Sequence, residues 1–151
     1  MARRKILVIT AIVLATTMIA LMLIASAAID VSIKINSSGS IAASPNIGVY
    51  SDSACTVPLT TINWGSASPG GTVSQTVYIK NTQGAASLTL GMTTSNWNPT
   101  SANGPLTVTW NQQGKVLAPG QSAAAVLTLA LSSSVTGITT FSVQISISGT
   151  G

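Results

Sequence analysis

The sequence contains no histidine and no glutamate, and only two of its 151 residues, Asp30 and Asp52, are acidic. Without an imidazole there is no Ser-His-Asp triad and no histidine-based zinc site. The two aspartates offer no well-placed carboxylate pair for glycoside hydrolysis, and no phosphate loop of the Walker or dinucleotide type is present. The composition therefore predicts a protein that is not an enzyme and that binds no metal and no cofactor.

Cysteine is almost absent as well. Cys55 is the single thiol, which excludes an internal disulfide and any multi-cysteine metal site. It follows Asp52 by three residues, but no neighbouring base is available to raise its thiolate content. We interpret Cys55 as a small buried hydrophobe, with a disulfide between two chains as the alternative. Asp52 alone is a poor calcium site, because calcium prefers several oxygen ligands.

Charge of either sign is scarce. Charged residues form 5% of the chain, against about a quarter in an ordinary soluble domain. Three of the six cations are packed at positions 3–5, and beyond residue 28 three lysines stand against two aspartates. No basic patch remains, so we expect no nucleic-acid partner.

The N-terminus has the layout of an export signal. The cations at residues 3–5 precede an uncharged, mostly apolar run at 6–24, and small residues follow at 25–28. This pattern predicts a secretory signal peptide that is cut after Ala27 or Ala28. The hydrophobic helix is also long enough to span a bilayer, so an uncleaved membrane anchor is an alternative. A third interpretation is a type IV pilin-like helix that packs in a filament core. The pilin peptidase usually cuts before a small residue that follows the last cation, whereas here Lys5 is followed directly by Ile6. Both the signal-peptide and the anchor interpretation place the remainder outside the cell.

A short alternating segment follows the export signal. Its apolar residues share one face and its polar residues the other, which predicts a strand with one apolar side; the apolar set is Ile29, Val31, Ile33 and Ile35. Residues 36–40, Asn-Ser-Ser-Gly-Ser, have the composition of a flexible linker. Asn36-Ser37-Ser38 is also a glycosylation sequon, which makes Asn36 a candidate acceptor in an exported chain.

The body of the chain, residues 45–151, consists of predicted strands and turns. Alternation is clearest at 73–80, 88–93, 126–131 and 141–148, and the connections carry Gly, Pro and Asn. Pro69-Gly70 and Pro119-Gly120 each precede a long alternating strand and predict type I or II turns at equivalent corners. We therefore predict an all-β fold, an immunoglobulin-like antiparallel β-sandwich, preceded by the N-terminal hydrophobic helix. The predicted domains are residues 1–28, 29–44 and 45–151.

Three tryptophans are the largest side chains. Exposed indoles on a sandwich bind sugar rings, which would give an adhesin. Trp64 and Trp110 end strands and Trp97 lies in a turn-rich segment, positions from which an indole commonly closes the end of a sandwich core. We predict that all three belong to the core.

Several segments of the body resemble small exported archaeal β-sandwich proteins. They are G-V-Y-S-D-S-A-C-T (48–56), T-T-I-N-W-G (60–65), S-P-G-G-T (68–72), V-Y-I-K-N (77–81), S-N-W-N-P (95–99) and S-S-V-T-G-I-T-T-F (133–141). The layout is similar to archaeal thread and bundling-pilus subunits and to TasA-like biofilm fibres, which combine an N-terminal strand with an immunoglobulin-like or jelly-roll body. The resemblance implies that the N-terminal strand of one subunit completes the sheet of the next.

The sequence thus favours a structural subunit of an extracellular filament, a homopolymer at the cell surface. Its donor strand would present Ile29, Val31, Ile33 and Ile35 to an unpaired sheet edge of the neighbouring copy. A linker that keeps the strand from folding back would leave the contact head to tail and open-ended. A membrane-anchored adhesin or S-layer-associated binding module is the alternative of a different class.

Overall fold

A computed structural model of the protein describes residues 35–44 and 46–151. The hydrophobic segment predicted at 1–28 and residues 29–34 of the predicted donor strand lie outside the described residues. In the part that is described, the chain forms nine strands and one short 3-10 helix, and no helix has the length and apolar character needed to cross a membrane.

The strands follow one another with short connections. They are β1 (Ile35–Ala43), β2 (Ile47–Tyr50), β3 (Thr61–Ala67), β4 (Thr72–Asn81), β5 (Leu88–Asn98), β6 (Leu106–Trp110), β7 (Val116–Leu117), β8 (Ser122–Leu131) and β9 (Thr140–Thr150), with the 3-10 helix at Thr100–Ala102 between β5 and β6.

Two sheets pack face to face. Sheet A has the order β3-β1-β9-β5-β7, and sheet B has the order β2-β4-β8-β6. Odd-numbered strands lie in sheet A and even-numbered strands in sheet B, so every connection between consecutive strands passes from one sheet to the other. Among the pairings of the named strands, β1 with β9 is parallel and all the others are antiparallel. The predicted all-β sandwich of two packed sheets is confirmed.

The core lies between the sheets, and the period-two pattern fills it. In β9, Phe141, Val143, Ile145 and Ile147 are all buried, while the intervening residues are more exposed. β8 buries every second residue from Ala123 to Leu131. A strand that presents alternate residues to each face gives this pattern directly, so the inward and outward faces predicted for these strands are confirmed.

The two predicted Pro-Gly corners are equivalent. Gly71 N donates to Ser68 O over 2.9 Å, and Gln121 N donates to Ala118 O over 3.0 Å. Gly70 and Gly120 have φ angles of 78° and 74°, which the third residue of a type II turn requires and which favours glycine. These turns begin β4 and β8, which pair with each other along sheet B.

Two of the three tryptophans are core residues, as predicted. Trp64 is 2% exposed and Trp97 is 8% exposed, and the Trp97 ring stacks on Phe141 with their centroids 5.9 Å apart. Trp110 is half-buried and its Nε1 donates to Gln113 Oε1 over 2.9 Å. The Trp97 indole is therefore not an exposed platform for a sugar ring.

The serine- and glycine-rich stretch at residues 36–40 is strand and not linker. It forms most of β1, which pairs with β3 on one side and β9 on the other. Small polar residues have low intrinsic strand preference, but two flanking strands satisfy the backbone groups on both sides and decide the conformation.

Candidate functional site

The candidate site is the position in sheet A that β1 occupies, which we call the β1 slot. Its walls are the β3 and β9 backbones. Ser37 lies opposite Gly65 of β3 and Phe141 of β9, and Gly39 lies opposite Ile62 and Val143. β1 is the first of the described strands, and the predicted alternating segment at 29–35 precedes and overlaps it in sequence.

Between residues 37 and 43, the inward face of β1 carries few apolar side chains. Ser37 is 8% exposed and Gly39 is buried, while Ile41 is partly buried and packs against the core. β8, by comparison, buries two alanines and three leucines on its inward face. Burial of apolar area is the main source of strand stability in a sandwich, so the described part of β1 is weakly held by side chains.

Two buried polar atoms, one on β1 and one on β3, have no hydrogen-bond partner. They are Ser37 Oγ and Trp64 Nε1. Every other buried side-chain nitrogen or oxygen atom of the described residues has a hydrogen-bond partner. A buried donor or acceptor without a partner costs about 1–3 kcal/mol. The local packing of the β1 slot is therefore poorer than that of the remaining core.

The space above Trp64 exists because residue 39 is glycine. A Cβ atom at Gly39 would lie 3.4 Å from Trp64 Nε1, 3.5 Å from Val143 O and 3.7 Å from Ile145 Cδ1. These are ordinary contact distances, so a methyl group fits, whereas a longer side chain would meet the indole ring.

The pairing of β1 with β3 is irregular near Ser37. The register shifts between Ser37 and Ser38, opposite Gly65, whose φ angle is 72° and whose N–H donates to Asn63 Oδ1 over 2.8 Å. An open surface cavity of about 550 Å³ adjoins this irregularity, and exposed residues such as Ser38, Thr61 and Asn63 line it together with Ser37. The irregular part of the pairing therefore borders a depression of the protein surface.

The predicted site residues are placed as follows. Ile29, Val31 and Ile33 lie outside the described residues. Ile35 is the first residue of β1 and its backbone lies opposite Ala67. Asn36 is the second, opposite Ser66 and Thr140, so the sequon lies within a strand that is paired on both sides.

The sequence interpretation missed Ser37 and Gly39 as strand residues, and it missed the position of the Trp64 indole against β1. One signal was available, because Ser37, Gly39 and Ile41 continue the odd-numbered face of the predicted donor strand. The approach of Trp64 carried no local signal, since it depends on the order of the strands in sheet A.

Asp52 has a structural role in its loop. Its carboxylate accepts hydrogen bonds from Val57 N at 2.7 Å, Thr56 Oγ1 at 2.8 Å and Thr56 N at 3.0 Å. The hydrogen bond from the Val57 backbone, followed by that from the Thr56 hydroxyl, lowers the pKa of Asp52 below its ordinary value of 3.8. These bonds hold the turn between β2 and β3 and occupy the oxygens of the carboxylate.

Cys55 lies in the same loop with a φ angle of 55°. It is a free thiol and is half-buried, which differs from the full burial expected of it. In the described part of the chain, no group of three or more histidine, cysteine, aspartate or glutamate side chains is arranged to hold a metal ion.

Comparison with known proteins gives no match to the sequence, either among protein-family models or among curated proteins.

Proposed function

We propose that the protein is a structural subunit of an extracellular filament, in which the N-terminal strand of one copy completes a sheet of the next. The observation that carries this proposal is the position of β1. The alternating sequence from Ile29 to Ile35 leads directly into a strand at the interior of sheet A. Strand addition gains affinity from backbone hydrogen bonds and specificity from alternate side chains. A contact of this kind joins unlike surfaces and extends into a fibre when it does not close.

The sparse charge of the body supports self-association. In residues 35–151 the charged side chains are Asp52, Lys80 and Lys115. Copies with so few charges repel each other weakly, and their serine- and threonine-rich outer faces allow lateral packing. The partner we propose is therefore a second copy of the chain, at the cell surface, with no nucleic acid involved.

The subtype of the β-sandwich, immunoglobulin-like or jelly roll, is also part of this proposal. An immunoglobulin-like sandwich places consecutive strands such as A and B in one sheet, whereas here consecutive strands alternate between sheets. A jelly roll, built from two Greek keys across two sheets, winds in this way. The winding favours the jelly-roll form of the resemblance, and the immunoglobulin-like subtype stays a prediction.

The anchored module and the type IV pilin-like subunit depend on residues 6–24, which lie outside the described residues. N-terminal sequencing of native protein separates the cleaved filament subunit from the anchored module. A start at Ala28 or Ile29 supports the filament with a cleaved signal, and a start at Met1 or Ala2 supports the anchor.

Substitution within the alternating segment tests the proposal. Ile33→Asp places a charge on the apolar face, where burial in a sheet is costly, so we expect the exported protein to lose filaments. Ser32→Asp adds the same charge to the opposite, polar face and should assemble like the wild type. Sedimentation and negative-stain electron microscopy measure both. A wild type that stays monomeric, or equal assembly of the two variants, would refute the proposal.

A further inference from the structure

The pairing of β1 in sheet A is irregular. β1 runs parallel to β9 while the other strands of both sheets are paired antiparallel. Parallel pairing is slightly less stable per residue, and the antiparallel pairing of β1 with β3 is broken between Ser37 and Ser38. β1 therefore combines a parallel neighbour with an interrupted antiparallel one.

The side chains of β1 also match the slot poorly. Ser37 brings a hydroxyl that finds no partner, and Gly39 brings no side chain to a position where a methyl group would fit. An apolar residue at position 37 would remove the buried hydroxyl, and a larger apolar residue at position 39 would add buried apolar area if the Trp64 ring moves.

The segment just before β1 has such residues on the same face. Because strand faces alternate with a period of two, any even shift keeps the same face inward. A shift of six residues brings Val31 to the position of Ser37, Ile33 to that of Gly39 and Ile35 to that of Ile41. Trp64 must yield to the Ile33 side chain, and its Nε1 has no hydrogen bond to lose.

We propose that β1 is a self-complementing strand that fills its own slot only in the monomer, and that residues 29–35 of a second copy replace it on assembly. This inference rests on the filament function proposed above and identifies its acceptor site as the slot between β3 and β9. Once displaced, residues 36–40 form the connector between copies, a role that suits their serine and glycine content.

A disulfide that locks β1 in its own sheet tests the exchange. Ser40 and Thr61 are exposed and lie opposite each other in β1 and β3, and Ile41 N donates to Thr60 O over 2.8 Å. That bond makes Ser40 and Thr61 a non-hydrogen-bonded antiparallel pair, whose Cα separation of about 4.5 Å suits a disulfide. The variant is Ser40→Cys with Thr61→Cys, in a Cys55→Ser background and exported from the full chain.

The matched control locks two strands that do not exchange. Ser74 and Thr128 lie opposite each other in β4 and β8, with their hydroxyl oxygens 3.0 Å apart. Ser74→Cys with Thr128→Cys in the same background carries an equivalent outward disulfide in sheet B. Ser38→Cys with Ser142→Cys, which links β1 to β9, serves as a second lock if the first variant fails to fold.

Assembly is measured by sedimentation before and after reduction. We expect the oxidised β1 lock to stay monomeric, at the level of Ile33→Asp, and to recover wild-type assembly when reduced, while the control assembles in both states. If the oxidised β1 locks assemble as well as the control, β1 stays in its own sheet and the inference is wrong, although the filament function stands. A wild type that fails to assemble overturns both.

Discussion

At the scale of single residues, the unfavourable contacts of the core converge on the β1 slot. Ser37 Oγ and Trp64 Nε1 are both buried without a partner, the first on β1 itself and the second on the neighbouring β3. Gly39 leaves the Trp64 indole without a side-chain contact from β1 at that position, where a Cβ would lie 3.4 Å from Trp64 Nε1. At these positions β1 fills the sandwich core with few apolar contacts.

Removal of the Ser37 hydroxyl should stabilise the monomer. Ser37→Ala deletes a buried polar group that has no partner, so we expect the free energy of unfolding to rise by about 1 kcal/mol. Ser38, its exposed neighbour, provides the control, and Ser38→Ala should change the stability by less than about 0.5 kcal/mol. Urea denaturation of the monomeric protein measures both. Destabilisation by Ser37→Ala would mean that the hydroxyl has a partner.

At the scale of strands, the sequence predicted those strands whose two faces differ strongly in polarity. β4, β8 and β9 alternate between apolar and small polar residues over ten or eleven positions, and burial follows that alternation. A period-two pattern of that length leaves few competing conformations. The Pro-Gly turns before β4 and β8 were predictable for a similar reason, since their backbone angles favour glycine.

β1 was missed because its own residues do not specify it. Asn-Ser-Ser-Gly-Ser has the composition of a linker, and its strand conformation is imposed by β3 and β9, which are distant in sequence. Composition reports local preference, whereas this strand depends on tertiary pairing. The same limit kept the slot itself from being predicted, because its floor is formed by Trp64.

Hydrogen exchange should report the weak hold on β1. In the monomer we expect amides of residues 35–43 to exchange faster than those of residues 122–131. β8 buries five apolar side chains, while between residues 37 and 43 the large apolar side chain that β1 packs against the core is Ile41. Local opening is easiest where few apolar contacts are broken. Mass spectrometry of exchanged peptides measures the difference. Equal protection of the two strands would contradict a readily displaced β1.

At the scale of the whole molecule, the chain combines a predicted export signal, a two-sheet body and very few charges. Residues 35–151 carry one acidic and two basic side chains, so electrostatics gives the surface little means of selecting a partner. Strand pairing gives specificity without charge, because register and alternating side chains provide the match. A head-to-tail strand contact between copies accounts for all three properties.

The most direct test is cryo-electron microscopy of filaments formed by the exported protein, at a resolution that traces the backbone. The account predicts that residues 29–35 of one subunit form a strand within a sheet of the next, with Ile29, Val31, Ile33 and Ile35 facing its core. A map in which these residues pair within their own sandwich, or a preparation that contains only separate particles, would contradict it.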